Sequence, residues 1–412
     1  MVVGDDSGAA LVVSPAGLAR RHTARGRIAI GVASDHAGFL GEDPAAPRIA
    51  NRDGARALPS VSVTRAAGDL VFGFAVLVNR GDHSTLPAPA FDAATDTVER
   101  LYSHRYGGLS LDLSRQVIAA GGAWRATDWL AVGAALTASR TELSERRMLW
   151  GGSTAAGQMP SPTDDILISV AGSDAFSPGA CAGVLVAPAG APLEIAASAR
   201  FVGSAHVTDQ ATLAPTHQGQ MTITRESSAA SLELPATIIT RAGARYLGAR
   251  ITAEIDAAYA IHRGDDNHTW QTDLAVSDPV TGATAQITAI PSALTTRDQL
   301  TAGGSVDFAA APGLVWLTAG YAFATGQSDA GHLSPTWVGL ATHTVAVGAE
   351  AYFDGTTLAI GYAHTFARST TVTADATDVR MIAPFEESPA AAAPGVYDTA
   401  EDRAALTVEI TW

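Results

Sequence analysis

Three arginines offer the clearest chemistry in this sequence. Arg200, Arg241 and Arg250 each lie in a stretch where apolar and polar residues alternate, and each falls on the polar parity. A guanidinium held there can bind a carboxylate through two parallel hydrogen bonds. Glu194, Glu233, Glu254 and Asp256 are the internal acids that compete for these arginines, and such pairing is the plainer alternative for any one of them. Other patterns lead nowhere catalytic. Gly4-Asp5-Asp6-Ser7-Gly8 lacks the Gly-x-Ser-x-Gly spacing of a nucleophile elbow. Asp265-Asp266-Asn267-His268 does not follow the EF-hand pattern and reads as a solvated loop. The eleven histidines are scattered without His-x-x-x-His spacing, and Cys181 stands alone. No phosphate-binding loop is present. No enzyme activity, cofactor or metal is therefore expected.

The elements that position these arginines are strands. At the C-terminus Leu406, Val408, Ile410 and Trp412 share one parity, and Ala405, Thr407, Glu409 and Thr411 share the other. Side chains alternate faces along a strand, so one face is apolar and the other polar. Ile251, Ala253, Ile255, Ala257, Tyr259 and Ile261 repeat the pattern against Thr252, Glu254 and Asp256. Strands are expected near 25–34, 58–66, 69–80, 109–125, 129–142, 176–188, 192–206, 230–245, 248–263, 298–309, 314–325, 340–354, 357–369 and 402–412. Short turns, as at Ala66-Ala67-Gly68 and Asp354-Gly355-Thr356, alternate strictly with long links near 35–57, 81–108, 143–175, 207–229, 264–297, 326–339 and 370–401. Tight turns at one end and long loops at the other are the mark of a transmembrane β-barrel. The fold class is thus all-β: a transmembrane antiparallel barrel of about fourteen strands, with apolar residues toward lipid. Trp129, Trp316, Tyr321, Tyr362 and Phe366 are candidates for an interfacial aromatic girdle.

Composition agrees. The chain has 412 residues, 47% hydrophobic but only 16% charged, well below the roughly 25% of ordinary soluble domains. No run of about 18 apolar residues forms a transmembrane helix. The net charge is -15, and the basic residues are all Arg, without a basic cluster, so nucleic acid is not an expected partner. The first residues show no basic region followed by an apolar core, so a mature or shortened chain is expected.

Several segments resemble one family. Ser14-Pro15-Ala16-Gly17-Leu18-Ala19, preceded by Asp5-Asp6-Ser7-Gly8-Ala9-Ala10, is similar to the Asp-Asp…Asn-Pro-Ala-Gly segment of the FadL-type outer-membrane transporters of long-chain fatty acids and other hydrophobic compounds. Gly122-Ala123-Trp124-Arg125-Ala126-Thr127-Asp128-Trp129 resembles that family's recurring hairpin, and Leu232-Glu233-Leu234-Pro235-Ala236-Thr237 its Leu-Pro-Ala-Thr segment. The resemblance implies a fourteen-stranded barrel (25–412) whose lumen is plugged by an N-terminal hatch (1–24). It implies a monomer in the bacterial outer membrane, surrounded by its lipid, with passive uptake of a fatty acid or other hydrophobic small molecule. Loops would capture the ligand, a pocket would hold it, and a gap in the wall beside a kinked strand would release it. Ser14, Pro15, Ala16 and Gly17 would form the hatch motif, with Ser14 in place of the family's Asn, and the hatch starts late. In the link 143–175, Met148, Leu149 and Trp150 are candidate ligand contacts, although this stretch reads equally well as an extension of the neighbouring strands. The competing readings are a general diffusion porin, a lipase-like barrel enzyme, an adhesive barrel and a hydrocarbon channel.

Overall fold

The computed structural model describes residues 3–5, 7–20, 23–43, 45–51, 53–87, 102–151, 164–216, 222–264, 266–278, 281–386 and 389–412. Fourteen antiparallel strands close into a barrel. They are β1 (Arg25–Gly41), β2 (Arg56–Ala67), β3 (Leu70–Thr85), β4 (Ser110–Thr127), β5 (Leu130–Trp150), β6 (Asp165–Val186) and β7 (Leu193–Val202). The second half comprises β8 (Ala236–Leu247), β9 (Ile251–Arg263), β10 (Gln299–Ala311), β11 (Val315–Ala324), β12 (Thr342–Phe353), β13 (Thr356–Ala367) and β14 (Gly395–Thr411). β14 closes on β1 from Arg25↔Thr411 to Gly41↔Gly395. The short turns sit at one end. Asp354 (φ 34°) and Gly355 (φ 84°) take the left-handed pair of dihedrals that joins β12 to β13 in two residues.

The outside is apolar and the inside polar, the reverse of a soluble protein. Ile28, Phe72, Leu136, Ile255, Val347, Ile360 and Leu406 are exposed on the outer face. In water such a belt would be untenable; lipid is its natural solvent. Trp129, Tyr321, Tyr362 and Phe366 also face outward. Trp316 does not: it shares the inward parity of Thr318 and lines the lumen, so it is no girdle residue.

The long links hold more structure than their sequence suggests. Strands Ala205–Pro215, Ser227–Leu234, Asn267–Ser277 and Thr284–Thr295 build an outer sheet on the upper ends of β5 and β6. The expected strand 230–245 is two strands. Pro235 has no N–H for the ladder, so Ser227–Leu234 pairs outward with Ala205–Pro215 and β8 starts afresh at Ala236. Leu111, Leu143, Leu149, Ile168, Leu213 and Trp270 form the core of this cap. Within the cap the Glu145 carboxylate accepts from Trp270 Nε1 (3.1 Å), Ala293 N (2.7 Å), Arg147 Nη2 (3.3 Å) and Ser292 Oγ.

Inside the barrel, residues 3–5 and 7–20 fold against one wall. They form a single helical turn, Ala10–Val13, and a 3-10 turn, Pro15–Arg20. Leu11, Val12, Ala16 and Leu18 bury themselves on Val71, Val117, Ala131, Ala135, Leu185 and Ala196 of β3 to β7. Small wall residues make the room. A Cβ on Gly133 would collide with the Pro15 and Ala16 backbone, and one on Gly73 would meet Leu11 and Leu18 at 3.2 and 3.3 Å.

Candidate functional site

Polar anchors fix the hatch to the wall. The Ser198 hydroxyl donates to Val13 O at 2.7 Å, and Val3 N donates to Glu254 Oε1 at 2.8 Å. Arg20 donates twice to Glu194, at 3.1 and 2.8 Å, and Arg125 donates to the Ala19 carbonyl. Ser14, Pro15, Ala16 and Gly17 are all buried, and Gly17 N donates to Ser14 O at 3.0 Å. The Ser14 hydroxyl itself makes no hydrogen bond among the described residues.

Directly beside this anchor lie two of the three candidate arginines. Ser198 stands opposite Arg241, and Cys181 and Ile239 flank Arg200 in one inward row. Arg200 is only 2% exposed. Its Nε and Nη2, and Nη1 of Arg241, have no hydrogen-bond partner among the described residues. Three of the four internal acids that compete for them are engaged elsewhere. Glu194 serves Arg20, Glu254 serves Val3, and Glu233 lies in the outer sheet with its side chain exposed. Asp256 attracts Arg241, whereas the charged neighbour of Arg200 across the β7–β8 ladder is Arg241 itself. Two like charges, Arg200 buried and Arg241 half-buried, present open N–H donors that an anion could complete.

Arg250 is not part of this pair. It lies in the short turn before β9 and is exposed, at the end of the barrel rather than in its lumen. Met148, Leu149 and Trp150 end β5 and are 2%, 0% and 4% exposed. The described part of 143–175 therefore extends β5 and β6 and is packed inside the cap; residues 152–163 lie outside the described residues.

The wall parts between β2 and β3. β3 carries a bulge between Val78 and Arg80 and leaves β2 above Leu77, while Arg56–Pro59 of β2 keep only β1 as partner. Above the parting Asn51 ties β1 to β3. Its amide donates to Asp35 O (3.3 Å) and His83 O (3.2 Å), and its side-chain oxygen accepts Thr85 N at 3.0 Å. Leu58 and Val78, on either side of the parting, line an upper cavity of about 680 Å³.

A closed fourteen-strand barrel with an internal hatch and a bulged third strand decides the architecture. The fold is that of the FadL-type outer-membrane transporters. A Pseudomonas aeruginosa FadL homologue superposes with a TM-score of 0.75 at 15% identity, covering 100% of this chain and 95% of that one. The Ralstonia pickettii toluene transporter TbuX gives 0.64 at 14%, covering 100% and 98%, and the Pseudomonas putida toluene transporter TodX gives 0.65 at 14%, covering 98% and 93%. Scans against models of protein families and against curated proteins found no match. The FadL-type fold thus survives here with little sequence in common. Sequence reasoning missed Asn51, because its partners lie 16 to 34 residues away and nothing in its neighbours marks it.

Proposed function

We propose that this protein is an outer-membrane channel for passive uptake of hydrophobic compounds, and that its ligands are long-chain fatty acids or similar amphiphiles with an anionic head. The observation that carries the reading is the buried Arg200, whose Nε and Nη2 have no hydrogen-bond partner among the described residues, next to the half-buried Arg241 and beside the hatch. An alkyl tail contributes about 0.8 kcal/mol per buried methylene, and its head needs donors of this kind. Hatch rearrangement would open access to the pair, since Ser198 holds Val13 one register step away. The parting between β2 and β3 offers the lateral way out, with Asn51 tying β1 to β3 above it.

The second reading is a hydrocarbon channel, favoured by the toluene transporters among the structures of like fold. Binding to the detergent-purified protein separates the two. Oleate bound in preference to octane and to a neutral sugar, and weakened by Arg200→Ala or Arg241→Ala, supports the fatty-acid channel. Octane bound as tightly as oleate, indifferent to both changes, supports the hydrocarbon channel. Binding of neither refutes the uptake reading.

A further inference from the structure

The link that crosses the top of the parting is fastened twice. The short strand Arg48–Ala50 pairs with Gly38–Leu40 of β1, and β2 begins at Arg56. The chain between them passes from one to the other just where β3 has left β2. Asn51 fastens this link to β3 through the backbone of His83 and Thr85, and its side-chain oxygen also accepts Asp53 N at 3.0 Å. These bonds involve neutral groups and do not respond to pH.

His83 supplies a second tie that does. Its imidazole reaches from β3 in both directions. Nε2 lies 3.2 Å from Asp53 Oδ1 of the link, and Nδ1 lies 3.1 Å from Asp112 Oδ2 of β4. Neutral imidazole has one N–H and serves one carboxylate; imidazolium has two and serves both. Imidazole changes charge between pH 5 and 8, where carboxylates and guanidiniums ordinarily keep theirs. The other charged groups on the surrounding elements have partners of their own. Asp35 of β1 pairs with Arg56 of β2, Glu401 of β14 pairs with Arg56 and Arg403, and Asp82 of β3 attracts Arg403. Arg115 of β4 donates to Thr141 Oγ1. His36 of β1 faces the other side of the wall, at Asp402.

We propose that His83 is a proton-operated latch on the parting. Charged, it clamps the link at Asp53 to β3 and β4 together. Neutral, it lets go of one of the two carboxylates. Acid therefore tightens the top of the parting, and neutral or alkaline medium loosens it. The consequence for transport, slower lateral release in acid, rests on the uptake reading; the latch itself does not.

The test of the latch is hydrogen exchange of the segments around Asp53 and over 82–87, in the detergent-purified protein at pH 5.5 and pH 8, with each rate divided by the intrinsic rate at that pH. A partly exposed ion pair shifts an equilibrium by up to about fivefold. The Thr85 amide, which donates to Asn51, should be protected up to about fivefold more at pH 5.5. His83→Gln keeps a donor but takes no charge, and should show equal protection at both pH values. If it does not fold, Asp112→Asn takes its place and should shrink the difference. Equal protection at both pH values in wild type, or a difference that persists in His83→Gln, overturns the latch. Release of bound oleate into lipid nanodiscs tests the consequence, comparing wild type with His83→Gln at the same pH so that ligand ionisation cancels. Wild type should be severalfold slower at pH 5.5 and equal at pH 8. Equal release at both pH values overturns the gate while the uptake reading stands. Oleate that never binds refutes the uptake reading, and exchange still decides the latch.

Discussion

Two buried arginines in this molecule meet opposite fates. In the cap, Arg105 donates to Asp165 Oδ2 at 2.6 Å and to Tyr106 Oη at 2.8 Å, and Tyr106 Oη donates to Asp165 Oδ1 at 2.6 Å. Every charge of that triad has a partner. In the lumen, Arg200 is as deeply buried, yet two of its nitrogens have none among the described residues, and a second arginine stands beside it. The first arrangement is finished by the chain itself and holds the cap together. The second, on the proposed reading, is completed by the anionic head of a ligand.

The comparison can be broken most forcefully at the cap. Removing one partner from a satisfied buried pair strands the other, at a cost of about 3–5 kcal/mol. Asp165→Ala should therefore loosen the cap by that order, read as accelerated proteolysis of the outer sheet with the barrel intact. A cap as resistant as wild type would show that the triad is ornamental.

The next effect is in pH. Burial holds the His104 imidazole, which shares a hydrogen bond with Pro87 O, down to about 4 from 6.5. Its folded pKa lies below its unfolded one, so the stability it permits is complete above pH 6.5 and is lost as pH falls toward 4, by about 3 kcal/mol in all. Asp165 works the other way. Burial raises it to about 6 against the opposing pull of Arg105, so this group favours the fold increasingly as pH falls from 6 toward 3.8. The two nearly cancel in wild type. His104→Gln should remove one side and leave a cap that grows more stable on acidification, measured by hydrogen exchange at pH 7 and pH 4.5. Equal acid response in both proteins would refute the assignment.

At the unsatisfied pair the sign reverses. Arg200→Met should leave barrel stability equal or slightly higher, because it dissolves a buried repulsion rather than a pair. It should weaken oleate by about tenfold, or about 1.4 kcal/mol. A large loss of heat stability instead would class Arg200 with Arg105. The smallest effect sharpens the contrast from outside: Arg250→Ala, at an exposed turn, should change neither stability nor oleate binding by more than about 0.5 kcal/mol.

Much of this was legible in the residues. Ile251, Ile255 and Tyr259 against Thr252 and Glu254 gave the faces of β9, because period-two alternation is a local property of a strand. Turn pairs such as Asp354-Gly355 fixed the short end, because left-handed dihedrals restrict residue type locally. The cap was not legible. Leu213, Leu232 and Trp270 sit in stretches whose pairing partners are tens of residues distant, and their ladder is set by packing over β5 and β6. Parity likewise placed Arg200, Arg241 and Arg250 alike.

What the sequence determined by itself was the barrel, its strand number and the two faces of most strands, though not of Trp316 or Arg250, since these follow from alternation and turn chemistry within a few residues. What only the tertiary structure decided was who meets whom. Arg200 and Arg241 lie 41 positions apart, yet pairing of β7 with β8 sets them side by side, while the hatch and the outer sheet take up Glu194, Glu254 and Glu233. A partner's absence is a property of the whole packed interior, and no local pattern encodes it.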